Sequence, residues 1–179
     1  MPVVFDNSFL ALLYGPFQTA PIDPRTRKPV DRAQERIEAL VDKLSKAQVR
    51  ILIPTPALCE FLTLAGRAGS SYLDIIDSTS RFQVVPFDQA SAVEAARLLD
   101  SGKRSGDKRR GRKQATWQKV KFDHQIVAIA VTQQASEIYS NDEDIASFGA
   151  QSGVTVFSVA ELASAPPRQT NLPLTVGDG

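Results

Sequence analysis

The sequence predicts one α/β domain, a three-layer α/β/α sandwich with a mainly parallel central sheet. Short apolar segments with the character of strands alternate along the chain with segments whose apolar residues recur at helical spacing. This alternation is typical of parallel sheets, because each connection between parallel strands places a helix on a face of the sheet. A length of 179 residues and a hydrophobic content of 42% suit a single well-packed core.

Five segments are predicted as strands because they are short and rich in Val, Ile and Phe. They are residues 3–6, 50–53, 81–87, 137–140 and 154–158. Functional sites of such sheets lie at the carboxyl ends of the strands. Polar residues at the carboxyl ends of these segments, such as Asp6 and Asp142, are therefore candidates for a site.

Seven segments between the strands are predicted as helices. In residues 30–46 the apolar side chains form a stripe of helical period, and Thr55 and Pro56 supply a helix cap followed by proline at the first helical position. Asp88 is expected to cap a later helix. The predicted helices are residues 8–14, 30–46, 55–67, 70–77, 88–99, 121–134 and 143–150, with a last helical turn at 160–162.

Two long connections and a tail complete the predicted organisation. Residues 15–29 contain four prolines, and residues 101–116 are rich in Gly, Lys and Arg, so both are predicted as loops. We expect residues 1–163 to form the domain, with a basic insertion loop at about 101–117. Residues 164–179, rich in Pro, Gly and Thr, are predicted to be a flexible tail.

Composition narrows the function classes. No apolar run approaches the roughly 18 residues that a membrane span needs, and we see no signal peptide, so a cytoplasmic protein is expected. The single cysteine, Cys59, excludes an internal disulfide framework and a cysteine-rich zinc site, and its apolar neighbours predict that it is packed. The single histidine, His124, lacks a nucleophile motif elsewhere in the chain and is expected to be a bystander.

Positive charge is concentrated in one part of the chain. The net charge is +1, but residues 103–121 hold nine Lys or Arg against one acid, so they carry +8 and the remainder carries −7. Such a basic segment is typical of a polyanion binder. The alternatives are a solvated, disordered loop and a surface for an acidic protein partner. The candidate nucleic-acid-binding residues are Lys108, Arg109, Arg110, Arg112 and Lys113.

Four carboxylates stand in strongly apolar sequence near predicted strand ends and helix starts. They are Asp6, Glu60, Asp123 and Asp142. Burial of one carboxylate without a partner is costly, whereas a divalent cation would neutralise several that converge. Taken singly, the aspartates could also be helix caps or first-turn acids, and Glu60 could be a solvated surface residue. Asp144 has the same two interpretations, metal ligand or cap.

The order of these acids resembles that of the PIN-domain nucleases, in particular the toxin components of bacterial toxin–antitoxin pairs, which are VapC-like proteins. The motifs that carry the resemblance are residues 4–8, 55–60, 121–130 and 140–145. Phe148 and the predicted strand 154–158 resemble the C-terminal end of the family's domain. The resemblance covers about residues 2–162. Compared with these toxins, the chain is longer in the loop at 15–30, the basic loop and the tail.

The resemblance implies a PIN-like fold and an endoribonuclease that depends on Mg²⁺ or Mn²⁺. It implies that Asp6, Glu60, Asp123 and Asp142 are catalytic and hold the metal, with Asp144 as a further ligand. Ser8 and Asn141 would orient carboxylates or waters from outside the ligand set. The implied partners are an RNA substrate, a cognate antitoxin and a second copy of the chain. Repulsion among close carboxylates predicts that at least one of them has a raised pKa.

Other functions fit the residues less well. A non-catalytic PIN-like module that binds RNA or protein is the main alternative, although it would be expected to lack one or more of the acids. A phospho-acceptor domain needs an acidic pair after the first strand, whereas Asn7 follows Asp6. A phosphatase of the haloacid dehalogenase type needs Asp-x-Asp there, and Ser8 stands in place of its second aspartate.

Overall fold

A five-stranded parallel sheet forms the centre of the molecule. The computed structural model describes residues 1–15, 19–104 and 117–164. The strands are β1 (Val3–Phe5), β2 (Ile51–Pro54), β3 (Phe82–Val85), β4 (Glu137–Tyr139) and β5 (Thr155–Phe157), in the order β3-β2-β1-β4-β5. All five predicted strands are present. The third ends before Pro86, because proline lacks the N–H group that the ladder requires.

All seven predicted helices are also present. They are α1 (Asn7–Tyr14), α2 (Ala33–Lys46), α3 (Thr55–Ala65), α4 (Gly69–Ser78), α5 (Gln89–Arg104), α6 (Trp117–Thr132) and α7 (Glu143–Gln151). Short 3-10 turns lie at Gly66–Ala68 and Val159–Glu161, the second of which matches the predicted last turn.

The flanks of the basic loop differ from the prediction. Helix α5 continues to Arg104, and α6 begins at Trp117 rather than at residue 121, since neither flank contains a proline and most of their residues tolerate a helix. Asp123 therefore lies in the second turn of α6 and does not open it. The candidate residues Lys108 to Lys113 and the tail beyond residue 164 lie outside the described residues, so the predictions about them stay predictions.

Helices cover the sheet on both faces, as the three-layer prediction requires. Successive side chains of a strand point to opposite faces, so Phe5 packs with Phe9, Ile37 and Phe61, whereas Val4 packs against α5, α6 and α7. Burial of each large apolar side chain stabilises the fold by about 1.5–3 kcal/mol. Within the described residues, no helix is long and apolar enough to cross a membrane.

The strand order reverses direction at β1, and this places the candidate site. From β1 the chain builds the sheet outward through β2 and β3, then returns to add β4 and β5 on the other side. Ligand sites of open α/β sheets form at such a reversal, beyond the carboxyl ends of the strands. Phe5 pairs with Tyr139, so the residues after them, Asp6 and Ser140, are neighbours at this edge.

Candidate metal centre

Asp6 lies where β1 ends and α1 begins, and its carboxylate is both buried and saturated with hydrogen bonds. Oδ1 accepts from the backbone N–H groups of Ser8 (2.9 Å) and Phe9 (3.2 Å) and from Ser8 Oγ (2.7 Å). Oδ2 accepts from Ser140 Oγ at 2.5 Å. Asp6 is therefore the N-cap of α1, as one of its two interpretations predicts, and it is also tied to the residue that follows β4.

Burial determines the protonation of Asp6. Loss of solvent raises the pKa of its carboxyl group from 3.8 to about 6, and the hydrogen bonds from Ser140, Ser8 and Phe9 lower it in part. A raised pKa among the acids is what the sequence predicts. The predicted cause was repulsion among close carboxylates, whereas the pKa of Asp6 is raised by removal of its carboxyl group from water.

Three further acids converge beside Asp6. A carboxylate oxygen from each of Asp123, Asp142 and Asp144 lies within 4.8 Å of the other two, and we call these residues the three-acid cluster. Asp142 caps α7 by accepting a hydrogen bond from the Asp144 N–H at 2.7 Å. The cap of α7 is thus Asp142 and not Asp144.

Asp123 is the buried member of the three-acid cluster. It reaches the cluster from α6 and is only 4% exposed. Its Oδ2 atom is buried and receives no hydrogen bond within the described part of the chain, although the residue makes other contacts.

Two serine hydroxyls connect Asp6 to the turn that carries Asp142. Ser140 Oγ donates to Asp6 and accepts from the Asp142 N–H at 2.9 Å. Ser8 Oγ donates to Asp6 and accepts from the Asn141 N–H at 2.9 Å. The side chain of Asn141 points elsewhere, since its Oδ1 accepts from the Val159 N–H at 3.0 Å and so anchors the last 3-10 turn.

Glu60 is held separately from the three-acid cluster. It lies half-buried on α3, and its Oε2 accepts from Asn7 Nδ2 at 2.5 Å. Among the described residues, neither Glu60 nor Asp6 joins a group of three acids as compact as the cluster. The structure therefore brings together Asp123, Asp142 and Asp144, links Asp6 to them through Ser140, and fixes Glu60 through Asn7.

Sequence reasoning did not single out Ser140 and Asn7 as site residues. The signal for Ser140 was its position as the last residue of a predicted strand, at the carboxyl end where sites form. Asn7 offered no signal, because its partner Glu60 is 53 residues away in the chain.

The sequence indicated no catalytic role for His124 or Cys59 and predicted that Cys59 is packed. His124 is buried with its ring 3.9 Å from that of Phe148, measured between centroids, which agrees with a packing role. The prediction that Cys59 is packed is wrong, because its side chain is exposed. On α3 the neighbouring Ala57, Leu58 and Phe61 face the core, and the helical rotation turns Cys59 outward.

The three-acid cluster suits a hard divalent cation. It offers only carboxylate oxygens, which Mg²⁺ and Mn²⁺ prefer over nitrogen or sulfur. Opposite oxygens of an octahedral Mg²⁺ site lie about 4.2 Å apart, given Mg–O distances of about 2.1 Å. The observed spacing of at most 4.8 Å therefore needs only small side-chain movements to close around one ion.

One family model matches most of the chain. The model of the PIN domain family matches residues 27–151, which include Glu60 and the three-acid cluster and begin after Asp6. No curated protein matches the sequence.

Solved structures with the same fold include two VapBC structures and a VapC toxin. VapBC2 from Rickettsia felis, bound to a promoter DNA fragment, has a TM-score of 0.57 and 13% identity over 88% of this chain and 98% of its own. DNA-bound VapBC from Salmonella typhimurium has a TM-score of 0.53 and 13% identity over 89% of this chain and 98% of its own. VapC20 from Mycobacterium tuberculosis, a sarcin–ricin loop cleaving toxin, has a TM-score of 0.52 and 15% identity over 82% of this chain and 95% of its own. Since the family match spans more than half of its residues, this chain belongs to the PIN domain family.

Proposed function

We propose that this PIN domain is a metal-dependent endoribonuclease and the toxin of a toxin–antitoxin pair. The observation that carries the proposal is the convergence of Asp123, Asp142 and Asp144 at the carboxyl edge of the sheet, coupled to Asp6 through Ser140. Hydrolysis of a phosphodiester requires compensation of negative charge on the phosphate, and a carboxylate cluster achieves this only through a cation.

The three-acid cluster would hold Mg²⁺ or Mn²⁺, with Asp6 and Glu60 as further acids at the same edge. When bound, such an ion would supply polarisation of the scissile phosphate and activation of a water molecule. The protein's own residues prepare the geometry. Ser8 and Ser140 fix both oxygens of Asp6, and Asn7 fixes one oxygen of Glu60. Helix α7 begins at the cluster, so its N-terminal dipole favours the negative charge there.

RNA as the substrate and an antitoxin as the partner are supported by the family and by its relatives. One neighbour in fold is described as a toxin that cleaves the sarcin–ricin loop, and two others are VapBC structures bound to DNA. A homodimer and a cytoplasmic location are parts of the same proposal. The alternative, a PIN-like module that binds without cutting, is disfavoured because every acid of the predicted set is present.

Cleavage of a panel of structured RNAs tests the proposal. The purified chain is assayed with Mg²⁺, with Mn²⁺ and with EDTA, beside Asp123→Asn and a control, Asp77→Asn, which alters an exposed acid on α4. We expect cutting that requires metal, is lost in Asp123→Asn and is kept in Asp77→Asn. RNA binding without cutting under any condition would favour the binding module instead.

A further inference from the structure

A cavity of about 210 Å³ opens beside the three-acid cluster. One wall belongs to residues 21–30, which we call the 21–30 hairpin, and includes Pro21, Ile22 and Pro24. The opposite wall includes Asn141 and Asp142 from the turn after β4, together with apolar side chains of β5 and the last 3-10 turn. Asp142 thus belongs both to the cluster and to the cavity, so the two are contiguous.

Hydrogen bonds give the 21–30 hairpin a defined shape. Ile22 and Pro29 form an antiparallel bridge, and the Val30 N–H donates to the Pro21 carbonyl at 2.8 Å. At the tip, the Asp23 N–H donates to the Lys28 carbonyl at 2.9 Å. The segment was predicted only as a loop, yet these bonds hold its apolar side chains against the cavity.

The 21–30 hairpin is apolar towards the cavity and basic elsewhere. Arg25, Arg27 and Lys28 are exposed, and with Asp23 they give the segment a charge of +2. Ile22 remains 56% exposed although it is apolar, so part of the cavity mouth is an uncovered hydrophobic surface. An apolar wall bordered by cations is the arrangement that a nucleic-acid strand needs, with a base against the wall and phosphates against the cations.

The charges on the opposite wall indicate which part of a nucleotide enters. Asp142, Glu143 and Glu161 line the cavity, so an anionic phosphate would be repelled there. A neutral base carries no charge for these carboxylates to repel. The volume is smaller than the roughly 300–1,000 Å³ of pockets that hold drug-sized ligands, which suits one ring system rather than a whole nucleotide.

We propose that this cavity receives one nucleobase of the RNA, next to the phosphate at the three-acid cluster. Arg25, Arg27 and Lys28 contact phosphates of the same strand from the outside of the 21–30 hairpin. The inference rests on the proposed ribonuclease function and deepens it, because it names a base-reading subsite. We expect the RNA to be single-stranded there, because extrusion of a paired base costs the free energy of unpairing and unstacking.

An abasic scan tests the subsite. Short single-stranded RNAs, each lacking one base, are bound to the full-length chain in Ca²⁺, and gels verify that the RNA stays intact. The same RNAs are then cut in Mn²⁺. The variants are Ile22→Ala, whose side chain is exposed, Ala146→Leu, which fills the cavity from α7, and the control Val93→Ala, an exposed apolar residue of α5 outside the cavity.

We expect removal of one particular base to weaken binding to the wild type about fivefold or more, which is the range of base stacking on protein surfaces. Ile22→Ala and Ala146→Leu should weaken binding of intact RNA by a similar factor and should lose the sensitivity to that base. Val93→Ala should behave as the wild type. The proposal would be overturned if every abasic RNA bound equally well, or if the chain bound no RNA. It would also be overturned if removal of that base weakened binding to both cavity variants as much as it weakens binding to the wild type.

Binding and cleavage report on different claims in this design. If the wild type binds with the expected base dependence but cuts nothing in Mn²⁺, the ribonuclease function fails while the base subsite stands. If it cuts RNA with no dependence on any base near the cut, the subsite fails while the ribonuclease function stands.

Discussion

Asp6 and the three-acid cluster occupy the same edge of the sheet, but the protein treats their charges in different ways. Four hydrogen bonds from Ser8, Phe9 and Ser140 satisfy the carboxylate of Asp6. The acids of the cluster instead place their oxygens within 4.8 Å of one another. Acids of one motif set therefore divide their roles, since protein donors fix Asp6 while the arrangement of the cluster suits a cation.

The largest expected effect follows from removal of one charge from the three-acid cluster. Asp144→Asn should lower metal-dependent cleavage by about 1,000-fold or more, because a bound metal supplies several kcal/mol and each 1.4 kcal/mol is a factor of ten. It should also abolish the rise in Tm that Mn²⁺ produces in the wild type. Asp144 is not the cap of α7, so the fold should persist.

The exposed acid Asp77 provides the control for this experiment, because it lies on α4 away from the cluster. Asp77→Asn should keep both the cleavage and the Mn²⁺-dependent rise in Tm. An Asp144→Asn protein that still gains stability from Mn²⁺ would show that the metal does not need this residue, and the division of roles would then be wrong.

The pH dependence of stability tests the role of Asp6. Its pKa is about 6 in the folded protein against 3.8 as the ordinary value, so folding favours the protonated form. The stability from protonation is fully present below pH 3.8 and is lost as the pH rises through 6. Since one pKa unit corresponds to 1.36 kcal/mol, the charged form costs about 3 kcal/mol at pH 7.5.

Asp6→Asn should remove this cost in EDTA. We expect the free energy of unfolding of the variant to exceed that of the wild type at pH 7.5 by up to about 3 kcal/mol, with the difference vanishing near pH 4. Denaturant titrations at both pH values measure it. A variant that is less stable than the wild type by the same amount at both pH values would mean that the hydrogen bonds of Asp6, and not its charge, decide its contribution.

Ser140 couples the two parts of the site, so its removal should have an intermediate effect. Ser140→Ala deletes the donor to Asp6 and the acceptor for the Asp142 N–H, and loss of such a supporting contact at a metal site typically costs about 10–100-fold in affinity or activity. We expect the Mn²⁺ concentration for half-maximal cleavage to rise by this factor. Ser140→Thr keeps the hydroxyl and should restore most of the activity, whereas failure of threonine to do so would indicate a steric role.

The sequence predicted the fold well because local patterns determine it. Alternation of strand and helix patterns required a parallel sheet, and strand ends that precede acids placed Asp6 and Asp142 at one edge. What it missed depends on three-dimensional neighbours. The contact between Asn7 and Glu60 joins distant segments, and the outward rotation of Cys59 depends on which face of α3 packs on the sheet.

The smallest expected effect concerns Asn7, which tests whether Glu60 needs a fixed position. Asn7→Ala removes the donor to Oε2, and a hydrogen bond to a charged group contributes about 1.5–3 kcal/mol when buried and less at this half-buried site. We therefore expect a fivefold to tenfold loss of cleavage. Asn7→Asp should cost more, because it sets a second negative charge against Glu60.

The order of the two Asn7 variants separates positioning from simple packing. If Asn7 orients Glu60 through its amide, then Asn7→Asp must be the slower enzyme at pH 7.5, and the gap to Asn7→Ala must narrow at lower pH as the new carboxyl group is protonated. Equal rates for both variants at every pH would mean that the amide only fills space. Glu60 would then act without support from α1.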